Sequence, residues 1–180
     1  MNKGRNGLYS LTLPALTAAL LSVSALLYIP TPLPITLQTL VLFTSLFLFG
    51  GRITSVAVLI YLAIGAVGLP VFSGFSGGIA RLLDATGGFL FGLLVASLLY
   101  WLLTAMIKKE GVWHLFSAVL AHLLLYLVGT LWYALVYLSG TEGLLSAALV
   151  TVVPFILPDA LKLLLAYVLA RRLKKTIYNQ

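Results

Sequence analysis

The 180-residue chain contains no cysteine, which excludes disulfides, thiolate metal sites and cysteine nucleophiles. Charge is also scarce. Asp, Glu, Lys and Arg make up 8% of the residues, where a soluble domain carries about a quarter. Acidic residues are rarest, four against eleven Lys and Arg, for a formal net charge of +7. Histidine occurs twice, and the three or four convergent ligands of a typical metal site are missing. There is no P-loop and no nucleotide-binding fingerprint, so energised transport would need an ion gradient or a separate ATPase. What fills the chain is apolar: 62% of its residues are hydrophobic and the mean hydropathy is +1.13. This composition is that of an integral membrane protein.

A spanning helix needs roughly 20 mostly apolar residues, because the hydrocarbon core is about 30 Å thick and each residue rises about 1.5 Å. From Asn6 to Gly51 no side chain is ionised. Tyr28-Ile-Pro-Thr-Pro-Leu-Pro34 divides that stretch, since three prolines in five residues cannot continue a helix. Further runs cover Ile53 to Leu69, Gly87 to Ile107, Trp113 to Leu138, and Leu144 to Ala170 with Pro154 and Pro158 inside it. The spacing predicts an all-α fold of six transmembrane helices in one domain, residues 1–180. The spans fall at about 8–28, 35–50, 53–69, 87–107, 113–138 and 144–171, with a break near Pro154–Pro158.

An even number of spans puts both termini on one side. Lys3, Arg5, Arg52, Lys108, Lys109, Arg171, Arg172, Lys174 and Lys175 fall on that side, nine of eleven basic residues. Arg81 alone lies in the opposite loops, and Lys162 lies within a span. By the positive-inside rule both termini are expected in the cytoplasm, which accounts for the positive charge without nucleic acid. The basic start is followed by no A-x-A-like cleavage site, so it reads as a first span rather than a cleaved signal.

In lipid an ionisable side chain is costly and marks a candidate functional site. Asp159 and Lys162, three apart in the last span, share one helix face. Pro158 suits a first helical turn, which predicts a final helix over about 158–172, roughly 22 Å long at the standard rise. Residues 143 to 153 would form a partial helix folded back above it, as at transporter sites. The pair is either a structural lock or the polar grip of a ligand pocket near the extracellular side. The outer loop from Gly68 to Gly88 is the second candidate. Its glycines, Gly74 among them, allow close backbone approach. Phe72 and Phe75 can wall a pocket, Arg81 and Asp84 can pair, and Asp84 or Thr86 can cap the fourth span; an ordered loop without ligand contact is the plainer reading.

Ala15-x-x-x-Ala19 and Gly88-x-x-x-Gly92 permit close helix approach, to a partner or to an internal neighbour. Gln38 and Thr39 open the second span and can reach a ligand or another helix. His122, Tyr126, Gly129, Tyr133 and Tyr137 form a stripe at helical spacing. In it, His122 reads as a packed, hydrogen-bonded interior residue and Tyr133 as a cavity-lining one.

With these residues laid out, the chain closely resembles the BioY family, the biotin-specific substrate-binding (S) components of energy-coupling-factor (ECF) transporters. The likeness runs through Pro32-Leu-Pro-Ile-Thr-Leu-Gln-Thr-Leu40, Tyr61-Leu-Ala-Ile-Gly-Ala-Val-Gly-Leu-Pro-Val-Phe72, Ser76-Gly-Gly78, Thr86-Gly-Gly-Phe89 and Leu157-Pro-Asp-Ala-Leu-Lys162. The resemblance implies capture of biotin from outside, with Asp159 and Lys162 bearing on the ligand. It also implies a membrane coupling subunit, met through Ala15 and Ala19, and two cytoplasmic ATPases as partners. A self-sufficient vitamin transporter that uses no ATPase, as a single chain or an oligomer, is the alternative. An intramembrane enzyme is disfavoured, since Asp159 and Lys162 supply neither a nucleophile nor a metal with a positioned base. No cofactor is expected.

Overall fold

The computed structural model describes residues 3–31, 33–107, 111–136 and 143–178, with side chains between Leu11 and Thr176. Pro32, Lys108, Lys109 and Tyr137, named above, lie outside the described residues, as do the side chains of Lys3 and Arg5. The elements run α1 (Lys3–Leu26), β1 (Tyr28–Ile29), β2 (Ile35–Thr36), α2 (Gln38–Phe49), α3 (Gly51–Ala66), α4 (Ile79–Leu82), α5 (Gly87–Ile107), α6 (Val112–Val136), α7 (Leu144–Thr151) and α8 (Val153–Tyr178). Helices α5, α6 and α8 are long and apolar enough to cross a bilayer. Helices α2 and α3, of 12 and 16 residues, are shorter apolar helices.

Two stretches differ from the sequence expectation. The proline-rich break is a small antiparallel ribbon, with Tyr28 opposite Thr36 and Ile29 opposite Ile35. It pairs backbone groups that the prolines bar from a helix, and α2 therefore starts at Gln38 rather than 35. The last helix starts at Val153, not Pro158. The Val152 carbonyl accepts the N–H groups of Phe155 (2.9 Å) and Ile156 (3.1 Å), and Pro158, early in the helix, forfeits only the bond to the Pro154 carbonyl. Helix α8 has 26 residues, about 39 Å at the standard rise. The break falls at Val152, between α7 and α8.

The bundle packs α5 on α6, α2 on α8, and α3 between α1 and α5. A Cβ at Gly88 would run into Trp132, and one at Gly129 into Phe89, so glycine sets the α5–α6 approach. The Gly88/Gly92 pattern thus faces an internal neighbour, whereas Ala15 and Ala19 lie exposed on α1. Tyr61, Tyr100, Phe43 and Phe72 fill the core. Leu123 and Leu127 of α6 and Leu157, Leu161 and Leu164 of α8 face outward. Such an apolar exterior suits hydrocarbon rather than water.

Candidate functional site

Helix α8 carries Phe155, Asp159 and Lys162 at spacings of four and three, hence on one face. Asp159 is 5% exposed and surrounded by donors. Its Oδ1 accepts from Lys162 Nζ at 2.8 Å and from Thr39 Oγ1 at 3.0 Å. Its Oδ2 accepts from the Tyr126 hydroxyl at 2.8 Å. His122 Nε2 stands 3.5 Å from the same oxygen, too far for a good hydrogen bond. Neither ring nitrogen of His122 has a hydrogen-bond partner among the described residues. Its ring instead packs against Phe43 and Tyr126, with centroids at 5.3 and 4.5 Å.

A carboxylate offers about four lone-pair sites and an ammonium three N–H donors. Three protein donors therefore leave Asp159 about one acceptor site, on Oδ2. Lys162 spends one donor on Asp159 and keeps two. The pair is internally satisfied, yet each partner retains capacity for a ligand.

A cavity opens beside this group, with about 670 Å³ of empty space counting the part open to solvent. Gln38, Thr39, Tyr126, Asp159 and Lys162 give it polar groups, while Leu33, Phe89, Leu90, Leu93, Leu125 and Phe155 supply apolar surface. The start of α2 is fixed locally. Thr36 Oγ1 accepts the Gln38 backbone N–H at 3.3 Å and donates to Gln38 Oε1 at 3.1 Å. Gln38 Nε2 donates to the Tyr61 hydroxyl at 2.8 Å.

The other loop candidates sit elsewhere. Phe72 does not line the cavity. It is fully buried, edge-on to Tyr61 with centroids at 5.3 Å, and fills space that only a glycine at 65 leaves open. Phe75, at φ 53, is 68% exposed, and neither it nor Gly74 lines the cavity. Ser73 and Thr86 are the loop residues that do. Arg81 is paired with Asp84 at 2.6 Å near the surface, away from the lining. Helix α5 opens on the Thr86 backbone carbonyl, which accepts from Phe89 at 3.1 Å, while the Asp84 side chain accepts from the Ala85 N–H, ahead of the helix. Tyr133 is buried in a small cluster with Leu33 and Ala147, outside the lining.

Sequence reasoning did not single out Tyr126 as a donor to Asp159. Its only sequence signal is its place four residues after His122 on the α6 stripe. Among the described residues no three His, Asp or Glu side chains converge as a metal site would require.

Fold and surface define a multi-pass α-helical membrane protein enclosing a cavity with a buried ion pair. The model of the BioY family matches residues 1–179, and the chain belongs to that family. It is 38% identical over 159 residues to the biotin transporter BioY of Thermotoga maritima, covering 87% of this chain and 90% of that one. It is 34% identical over 164 residues to the probable biotin transporter BioY of Pyrococcus horikoshii, covering 91% and 94%. Among solved structures it is similar to the crystal structure of the S-component for biotin from an ECF-type ABC transporter. That likeness has a TM-score of 0.84 and 27% identity, over 97% of this chain and 95% of the other.

Proposed function

We propose that this chain captures biotin in the cavity beside Asp159 and serves its uptake across the cell membrane as the S component of an ECF transporter. The buried Asp159–Lys162 pair on the cavity wall carries the reading; the names of the relatives support the ligand. Biotin has two ureido N–H donors, a ureido carbonyl, an apolar thiophane ring and a valerate carboxylate. Asp159 has one acceptor site for a ureido N–H. Lys162 has two donors for the ureido oxygen or the carboxylate. The leucine and phenylalanine surface suits the ring.

In this reading the molecule crosses the membrane six times, through α1, α2, α3, α5, α6 and the α7–α8 segment. Phe47, Gly111 and Arg171 line a common hollow at one end, next in sequence to the basic positions 52, 108–109 and 171–175. The positive-inside rule then supports cytoplasmic termini and an outward-facing cavity at the ribbon end. Ala15 and Ala19, exposed on α1, meet a membrane coupling subunit, and two ATPases complete the transporter. The chain itself is a transport subunit rather than an enzyme.

Calorimetric titration of the purified protein with biotin tests the site. Each charge-assisted contact is worth roughly 1.5–3 kcal/mol, so Asp159→Asn and Lys162→Ala should each weaken binding by about 10- to 150-fold. Folded variants with wild-type affinity would overturn the assignment. Uptake persisting in cells that lack the coupling subunit and ATPases would replace the ECF reading with a self-sufficient transporter.

A further inference from the structure

At the end of the bundle opposite the ribbon lies a second, open hollow, with about 1060 Å³ of empty space counting the part open to solvent. Tyr167, Arg171 and Lys174 line it from α8 at spacings of four and three, one helix face. The Arg171 guanidinium lies 5.7 Å from the Tyr167 ring centroid. Phe47 packs edge-on to Tyr167, with centroids at 5.5 Å, and Val112 lines the side contributed by α6. Among the described residues no carboxylate lines the hollow, and no ion pair involves Arg171 or Lys174.

We infer that this hollow holds the headgroup of an anionic phospholipid. Two cations with no ion-pair partner among the described residues, beside an aromatic floor, match an anion attached to an apolar body, and basic hollows between membrane helices are suited to acidic headgroups. A free phosphate would use the cations alone. A lipid also uses the neighbouring flank of α8, where Leu164, three residues before Tyr167 and seven before Arg171, is exposed, and where Leu161, Leu165 and Val168 continue the apolar surface further round the helix.

The test is native mass spectrometry of the full chain, purified in detergent and mixed with phosphatidylglycerol or phosphatidylcholine. Wild type should retain one phosphatidylglycerol and little phosphatidylcholine. Arg171→Gln/Lys174→Gln should lower occupancy about 25-fold, at roughly fivefold per cation. Arg172→Gln/Lys175→Gln removes the same charge from exposed positions outside the lining and should lower occupancy clearly less, by no more than about fivefold, because these charges act across screening solvent. Equal losses in both double variants would overturn the site in favour of diffuse surface charge. Equal retention of the two lipids, which needs no variant to measure, would overturn it as well. Displacement of the lipid by millimolar inorganic phosphate would make this a soluble-anion site instead.

Discussion

Lys162→Met removes one side of a buried ion pair and leaves the other. The ammonium that donates to Asp159 Oδ1 at 2.8 Å is lost, and a carboxylate that is 5% exposed remains. One-sided loss of this kind costs about 3–5 kcal/mol. Thr39 and Tyr126 still donate to the carboxylate, so the lower figure applies, about 3 kcal/mol. For a chain of this size 1 kcal/mol moves Tm by roughly 2–4 °C, which places Lys162→Met about 6–12 °C below wild type. Asp159→Asn strands the ammonium in turn, whose side chain is 12% exposed. Asp159→Asn/Lys162→Met buries no net charge, and the Asn carbonyl still accepts from Tyr126 or Thr39. The double variant should therefore lose less than the sum of the singles, by about 1–3 kcal/mol of coupling. Thermal unfolding of the four ligand-free proteins in detergent, followed by tryptophan fluorescence, measures the cycle. Strict additivity would show that the two groups do not compensate each other, and the network described here would be wrong.

Other substitutions separate packing from ligand contact. Tyr126→Phe deletes the hydroxyl donated to Asp159 Oδ2, a bond worth roughly 1.5–3 kcal/mol; thermal unfolding of the ligand-free protein should register that loss as a lower Tm. Phe72→Ala empties a fully buried position and should cost about 3–5 kcal/mol in unfolding. Phe75→Ala, at a 68% exposed position, should stay within about 0.5 kcal/mol, and a large loss of biotin affinity there would restore the loop as part of the pocket. Ala15→Leu and Ala19→Leu alter an outward face, so unfolding and biotin titration should match wild type. Co-purification with the coupling subunit should fail.

The features legible in the sequence are local ones. Apolar runs, the proline break and two charges three residues apart need no knowledge of what lies across the bundle. The partners of Asp159 do need it. Thr39 and Tyr126 are 120 and 33 residues away along the chain. Periodicity puts each on a helix face without saying which faces meet. Pro158 misled for a related reason: proline favours a first turn, but it is tolerated slightly deeper when the helix can be started by the carbonyl of Val152. Phe72 read as a pocket wall because aromatics in glycine-rich loops often are. The space that buries it is made by Gly65, on a helix the loop reading did not consult.

The ribbon belongs to the site for the same long-range reason. Thr39 reaches Asp159 from the second residue of α2, and that helix begins where Thr36 accepts the Gln38 N–H. Thr36 is in turn fixed by pairing with Tyr28 across the ribbon. On the other side, Gln38 is held by Tyr61, whose hydroxyl donates to the Val71 carbonyl at 3.4 Å, just before the buried Phe72. The prolines that end α1 and the aromatic that plugs the loop therefore act on the ligand cavity without facing it. They fix the register at which α2 presents its hydroxyl to a carboxylate on α8, and that register determines how much acceptor capacity Asp159 keeps for an incoming N–H.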